Sequence, residues 1–338
     1  MTGAPKPAGA SPRPVLVTGA TGFVGSAVVR HLLADGQAVR ILRRASSPLD
    51  QLGPDADRVE HAVGDVTDAE SVREAARGVG AVFHVAGIVA LGAASRARVW
   101  AVNAAGTTHT VDAALAEGVE SFVHTSSIAA LGRPETPGAV IDETAVWTRS
   151  KANTAYAESK RAGEREAFRG AAEGMHTVVV SPALVFGPGR PDEGTNAVVE
   201  RLRRGRVPAA PPGGTSVVDV EDVAAGTIAA WRRGASGERY ILAGEALLWT
   251  EILAVLARAL GVDAPRRVAP AWALWAAGAL SEAVQALGGP DAGLSREAAR
   301  TSSGVFAYSA AKAERDLGAT FRPFAETARR VAAAVTQR

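Results

Sequence analysis

Cysteine is absent from this chain, which excludes disulfides, thiolate catalysis and Cys-ligated zinc or iron–sulfur centres. The six histidines include no HxxxH or similar ligand spacing, so no protein-bound metal is expected. Excess charge is also missing: the formal net charge is +2 over 338 residues, and the basic residues are spread along the chain, so no nucleic-acid surface is expected. No apolar run is long enough to cross a bilayer. The nearest, AWALWAAGAL at 271–280, is half the needed length and runs into Ser281 and Glu282, which suits a helix lining a pocket or an interface and gives no stable membrane insertion. The opening MTGAPKPAGASPRP is Pro, Ala and Gly without an apolar core and reads as a disordered tail over 1–13 in a cytoplasmic protein.

Lysine and tyrosine are scarce, at four and three residues, yet one of each stands four apart in TAYAESK, as Tyr156 and Lys160. On a helix that spacing puts both on one face. An ammonium ~4 Å from a phenol at an effective dielectric of ~20 is worth about 4 kcal/mol, roughly three pK units, and would bring the tyrosine near neutrality. Such a pair suits proton transfer in an oxidoreductase.

After the tail, short Val-rich runs (PVLVT, AVRILRR, RVEHAVGD, AVFHVAG, SFVHTSS, TVVVSPAL) alternate with longer Ala-rich helical stretches. This rhythm predicts an α/β fold, a Rossmann-type doubly wound parallel sheet over 14–180. From Gly187 the rhythm breaks, predicting a smaller C-terminal substrate domain over 181–338, with 215–244 returning to the main sheet.

The first strand–helix junction, VTGATGFVG, carries Gly19, Thr21, Gly22, Phe23, Val24 and Gly25. Gly19 permits the tight turn, Gly22 lets backbone approach a pyrophosphate, Gly25 lets helix and strand pack closely, and the helix N-terminus favours the anion. At the end of the second strand, where an NAD site offers a carboxylate to the ribose, the chain has Arg43 and Arg44, with no acid before Asp50. Two arginines there suit a 2′-phosphate, so NADP(H) is expected over NAD(H); two surface arginines are the plain alternative. Asp65 and Val66 follow the third strand in GDVTD. Asp65 could accept from the adenine amino group, or Asp65 or Asp68 could cap a helix. His84 and His124 lie in predicted strands and read as core residues.

Taken in order, VTGATGFVG, GDVTD, HVAG (84–87), VNAAGT (102–107), HTSSIAALG (124–132), YAESK and SPALVFGPG (181–189) resemble the short-chain dehydrogenase/reductase superfamily, extended type, over nearly the whole chain. The resemblance implies that Ser127, with Ser126 as the fallback, bonds the substrate oxygen, that Tyr156 transfers the proton, and that Lys160 lowers the tyrosine pKa and holds the nicotinamide ribose. Asn103 matches an asparagine of the fourth helix, acting on catalysis, helix geometry or a water. Ala86, Gly87, Pro182, Ala183 and Leu184 match segments along the cofactor. A homodimer is possible in such folds.

Within that type, Leu184 stands where sugar-nucleotide enzymes carry an asparagine, and GGTSVV lacks their phosphate-binding arginine. The chain looks more similar to reductases of the dihydroflavonol 4-reductase, cinnamoyl-CoA reductase and 3β-hydroxysteroid dehydrogenase group. The segment 86–94 with Trp100, Trp147, Phe186, Trp272 and Trp275 suggests an apolar substrate wall. The expectation is an NADP(H)-dependent reductase of an apolar ketone or aldehyde. The alternatives are a nucleotide-sugar epimerase or dehydratase and, from another class, a non-catalytic dinucleotide sensor, in which the Tyr/Lys pair would have no use.

Overall fold

In a computed structural model of the chain, the residues described are 13–89, 95–132, 138–148, 153–287 and 295–336. Seven strands form one sheet in the spatial order β10-β7-β5-β4-β1-β2-β3. They are β1 (Val15–Thr18), β2 (Val39–Arg43), β3 (Glu60–Val63), β4 (Ala81–His84), β5 (Ser121–Thr125), β7 (His176–Pro182) and β10 (Glu238–Leu242). All neighbouring pairs are parallel. Every residue of β1, β4 and β5 is buried, the continuous apolar reading of strands covered on both faces.

Helices α1 (Phe23–Ala34) and α7 (Val220–Arg233) cover one face, where Trp231 meets Phe83 edge-on at 5.4 Å. The other face carries α2 (Ala69–Ala76), α4 (Gly106–Ala116) and α5 (Ala155–Ala172). Ahead of α4, the short α3 (Arg96–Trp100) runs into one π-turn at Ala101–Ala105. Strand order reverses between β4 and β1, so their C-terminal ends form the crevice where such sheets bind ligands.

A smaller sheet contains β6 (Val140–Ile141), β8 (Leu184–Phe186), β9 (Gly214–Asp219), β11 (Ala246–Leu248) and β12 (Val305–Tyr308). Residues of α6 (Gly194–Arg203), α8 (Trp249–Leu260) and α12 (Phe324–Thr336) build its core with Phe186, Ala210 and Val217. The outer helices are α9 (Ala271–Ala286), α10 (Arg296–Ser303) and α11 (Ala311–Leu317). The segment expected to rejoin the main sheet divides. Residues 238–242 return as the edge strand β10, but β9 stays in the small sheet, because its pairing is taken up by β8, β11 and β12. Phe186, expected at the substrate wall, is instead in the core, 1 % exposed and 5.0 Å from Phe324. Trp231 also belongs to the core, whereas Trp272 is 74 % exposed. Among the described residues no helix is long and apolar enough to cross a membrane.

Helix α5 reaches the π-turn through Gly163, where a Cβ would lie 2.3 Å from the Asn103 carbonyl and 2.8 Å from the Thr107 hydroxyl. Gly163→Ala must therefore push the two helices apart. We expect it to lower unfolding free energy by about 1–3 kcal/mol in urea titration. An unchanged midpoint would mean that this contact yields freely.

Candidate active site

Thr154 caps α5, its hydroxyl accepting from Ala157 N at 3.0 Å, and so sets Tyr156 and Lys160 in the first two turns. Lys160 is 4 % exposed, and its Nζ donates to the Thr125 carbonyl at 2.6 Å, at the end of β5. Burial lowers its pKa to about 8. Burial pushes the Tyr156 phenol up, and a hydrogen bond with the Ser127 side chain acts against that. The expected drop of the phenol toward neutrality is therefore not met: loss of solvation outweighs the help of Ser127, and the lysine ammonium is engaged by a backbone carbonyl.

The structure separates the two serines. Ser126 is buried and donates to Glu164 Oε2 at 2.8 Å, while Arg239 holds the other oxygen of that carboxylate. Ser127, the N-cap of a short turn at Ile128–Ala130, keeps its hydroxyl beside Tyr156.

Asn103 lies in the π-turn, a local distortion that recurs at functional sites. Its Oδ1 accepts from Ile88 N at 2.8 Å, and its Nδ2 donates to the Ile88 carbonyl at 3.0 Å and to Ser159 Oγ at 3.1 Å. The side chain thus fixes the segment after β4 against the helix of Tyr156. His84 and His124 stack at 5.5 Å inside the sheet. Burial depresses both, His84 to about 3 and His124 well below its usual value, with the Lys160 charge adding to the effect, so both are neutral. The partners of His84 fix its tautomer. The Thr107 hydroxyl donates to the Asn103 carbonyl at 2.8 Å, so it must accept from Nε2–H at 3.0 Å; Nδ1 then accepts from Thr18 at 2.8 Å.

Across the sheet, Gly19 has φ +69°, and a Cβ there would lie 2.6 Å from Ala86 N. A Cβ at Gly25 would fall 2.1 Å from the Gly19 carbonyl. The N-cap of α1 is Gly22, with no acid in the first turn, and among the described residues no side chain caps the first helical N–H groups. Phe23 packs against the loop at Gly187 and Gly189, Val24 against the core, and Thr21 offers its carbonyl to Arg190 at 3.4 Å. Arg43 and Arg44 form no ion pair among the described residues. Asp68 caps α2. Asp65 instead accepts from Thr67 N at 2.9 Å and from its hydroxyl at 2.8 Å. Burial opposes ionisation of Asp65, but those bonds and the charges of Arg44 and Arg98 hold its carboxyl below the usual range. Val66 packs on Gly106, Gly87 borders Asn103 and Lys160, and Pro182, Ala183 and Leu184 link β7 to β8.

Residues 15–243 match the profile of the NAD dependent epimerase/dehydratase family. The chain belongs to this family. Over 308 residues it is 35 % identical to the "Putative dihydroflavonol 4-reductase" of Synechocystis sp., covering 89 % of this chain and 88 % of that one. It is 35 % identical over 260 residues to the "Sterol demethylase protein B" of Methylococcus capsulatus, covering 75 % and 77 %. The crystal structure of gox2253 superposes with a TM-score of 0.82 at 32 % identity, covering 96 % of this chain and 98 % of that one. As an epimerase/dehydratase family member of the extended short-chain type, the protein is an NAD(P)-dependent oxidoreductase.

The residues present fit the dinucleotide that the family implies. Gly19 and Gly25 let the backbone of the first strand–helix junction pack closely, and the N-terminus of α1 without a side-chain cap, with two cations at the end of β2, suits phosphate. Residues not singled out in the sequence complete this region. Arg190 donates to Asp50, to Glu193 at 2.7 Å and to the carbonyls of Thr21 and Pro48, strapping the glycine loop to the loop after β2. Glu164 and Arg239 immobilise Ser126. One arginine or glutamate in this arginine-rich chain gives no local signal, since its partners lie up to 169 residues away. Beside Ala155 opens a cleft of about 290 Å³ lined by Arg96, Trp275, Glu282, Arg296, Glu297 and Arg300. Its rim is more charged than the sequence suggested. Residues 90–94 of the expected apolar segment lie outside the described residues.

Lys160 has a pH signature with a definite sign. Its folded pKa of about 8 lies below the unfolded 10.5, so between those values the unfolded chain binds more protons and stability rises with pH. Below pH 8 the buried ammonium destabilises the fold. We expect the stability of wild type minus that of Lys160→Met, read from urea titrations, to increase from pH 7.5 to 10. A constant difference would mean that the ammonium is not desolvated.

Proposed function

We propose that the protein is an NADP(H)-dependent reductase of an apolar ketone or aldehyde, reversible as an alcohol dehydrogenase. The observation that carries this reading is the placement of Tyr156 and Lys160 one turn apart at the start of α5, with Lys160 Nζ bonded to the Thr125 carbonyl at the end of β5 and Ser127 two residues beyond it. A carbonyl gaining a hydride develops negative charge on oxygen, and two convergent hydroxyls stabilise it. A bound nicotinamide supplies that hydride. Ser127 orients the oxygen by donating to it, and Tyr156 transfers its phenolic proton. The phenol carries its proton in this state, as the reducing direction requires. Lys160 serves the ribose hydroxyls and the charge left on the phenolate, while Asn103 positions rather than reacts. Arg43 and Arg44 bind the 2′-phosphate, Asp65 and Val66 the adenine side, and Ala86, Gly87, Pro182, Ala183 and Leu184 the nicotinamide side.

The apolar substrate class is supported by Leu184 at the nicotinamide edge and by the dihydroflavonol and sterol named for two relatives. A nucleotide-sugar substrate is the second reading, favoured by the arginines at the rim of the cleft. It requires calorimetric affinity for a UDP- or dTDP-sugar and retained NAD(H), and their absence removes it. A cytoplasmic location and a homodimer accompany the main proposal, the dimer to be read by light scattering.

Tyr156→Phe should reduce kcat by about 10²–10⁴-fold with NADPH affinity nearly unchanged, measured against a panel of apolar carbonyls; wild-type rates would sink the assignment. Arg43→Ala should weaken NADPH by about 2–3 kcal/mol and NADH far less, in fluorescence titrations. Equal losses would place Arg43 away from the 2′-phosphate.

A further inference from the structure

Arg43 ends β2, and its neighbour β3 is in parallel register with Ile41 opposite His61. Arg43 Nε donates to His61 Nδ1 at 2.8 Å. The other ring nitrogen of His61 lies 2.8 Å from the Ala56 carbonyl. A carbonyl can only accept and an arginine N–H can only donate, so both partners demand the same neutral tautomer, protonated at Nε2 with a lone pair at Nδ1. The Nη1 of Arg43 donates to the carbonyls of Arg44 at 3.2 Å and Ala45 at 3.3 Å. The two N–H groups of Nη2 meet no acceptor among the described residues, and no carboxylate there pairs with the guanidinium. The cation is held at two of its three nitrogens by neutral groups, so it is oriented while its charge stays uncompensated.

We propose that His61 is a positioning residue for NADP(H), acting through Arg43 to set the guanidinium for the ribose 2′-phosphate. This rests on the NADP(H) reading above and deepens it. An arginine on its flexible stem must be ordered when it binds phosphate, and prior ordering by His61 removes part of that cost. Carbonyls and a neutral imidazole can do this without cancelling the charge, as a carboxylate would.

The test uses the full chain and the Kd values of NADPH and NADH from fluorescence titration. His61→Phe keeps a ring and removes both nitrogens. Loss of one net hydrogen bond's worth of orientation should raise the NADPH Kd about 3–10-fold and leave NADH nearly unchanged. His61→Asn, which returns an acceptor near the Nδ1 position, should recover most of the loss. In an Arg43→Ala background, His61→Phe should add nothing, because the group it positions is gone. His61 is on the exposed side of β3, and His61→Leu provides a second variant should the phenylalanine disturb the strand. Equal losses for NADPH and NADH, no rescue by asparagine, or an additive effect in the double variant would overturn the proposal. If Arg43→Ala itself weakens both dinucleotides equally, the NADP(H) reading fails. If Arg43→Ala is selective and His61→Phe is silent, the positioning role alone fails.

Discussion

The carbonyl oxygen of Gly19 sits where three stretches of backbone meet, and the site depends on their close approach. It accepts from Gly22 N at 3.0 Å, a Cβ on Gly25 would overlap it, and a Cβ on Gly19 itself would strike Ala86. From this knot a directional chain of hydrogen bonds crosses the sheet. Ala86 N donates to Thr18 Oγ1, Thr18 to His84 Nδ1, His84 Nε2–H to Thr107, and Thr107 to the Asn103 carbonyl. That carbonyl in turn faces Gly163 of α5, the helix of Tyr156 and Lys160. Close backbone packing at each end and a chain of hydroxyls and imidazole between them thus connect the glycine loop to Tyr156 and Lys160. Each donor has one acceptor, so displacement of any member leaves a buried group unpaired, at a cost of about 1–3 kcal/mol.

Burial favours the uncharged form of the titratable groups on and beside this path. It keeps His84 and His124 neutral, so the chain has a fixed polarity and no proton to release near pH 7. It holds the Tyr156 phenol protonated and brings Lys160 to about 8. In this state the phenol is protonated and the Lys160 cation is weakly stabilised by protein alone. Negative charge developing on the phenol would lie one helical turn from that buried cation, and burial strengthens their attraction.

Much of this was legible from sequence because it is local. Valine-rich runs gave the buried parallel strands, the glycines of VTGATGFVG stand where close contacts require them, and the spacing of Tyr156 and Lys160 placed both on one helix. What escaped depends on distance along the chain. The split between β9 and β10 is decided by partners at 184–186, 246–248 and 305–306, and nothing in VVDVED announces them. Phe186 looked like a pocket aromatic but has Phe324 as its neighbour. The direction of the phenol pKa escapes an i,i+4 argument, which counts the nearby charge and omits desolvation. The resemblance puts Ser127 ahead of Ser126, but the bond by which Glu164, on another element, claims Ser126 has no local signal.

The same reasoning explains why the two sheets are interlocked and not merely linked. Asp219 ends β9 and caps α7 by accepting from Glu221 N at 2.8 Å. It is 1 % exposed and takes two 2.7 Å bonds from Arg330 of α12. Glu221, two residues on, accepts from Arg30 at 2.8 Å and lies 3.0 Å from His31, both on α1. His31 and Arg30 together outweigh burial and lower its pKa to about 2. A buried aspartate stripped of its partner costs about 3–5 kcal/mol, so α12 cannot detach from β9 without that penalty. Helix α7 is thereby fixed at its N-terminus to the small sheet and along its length to α1 of the large one.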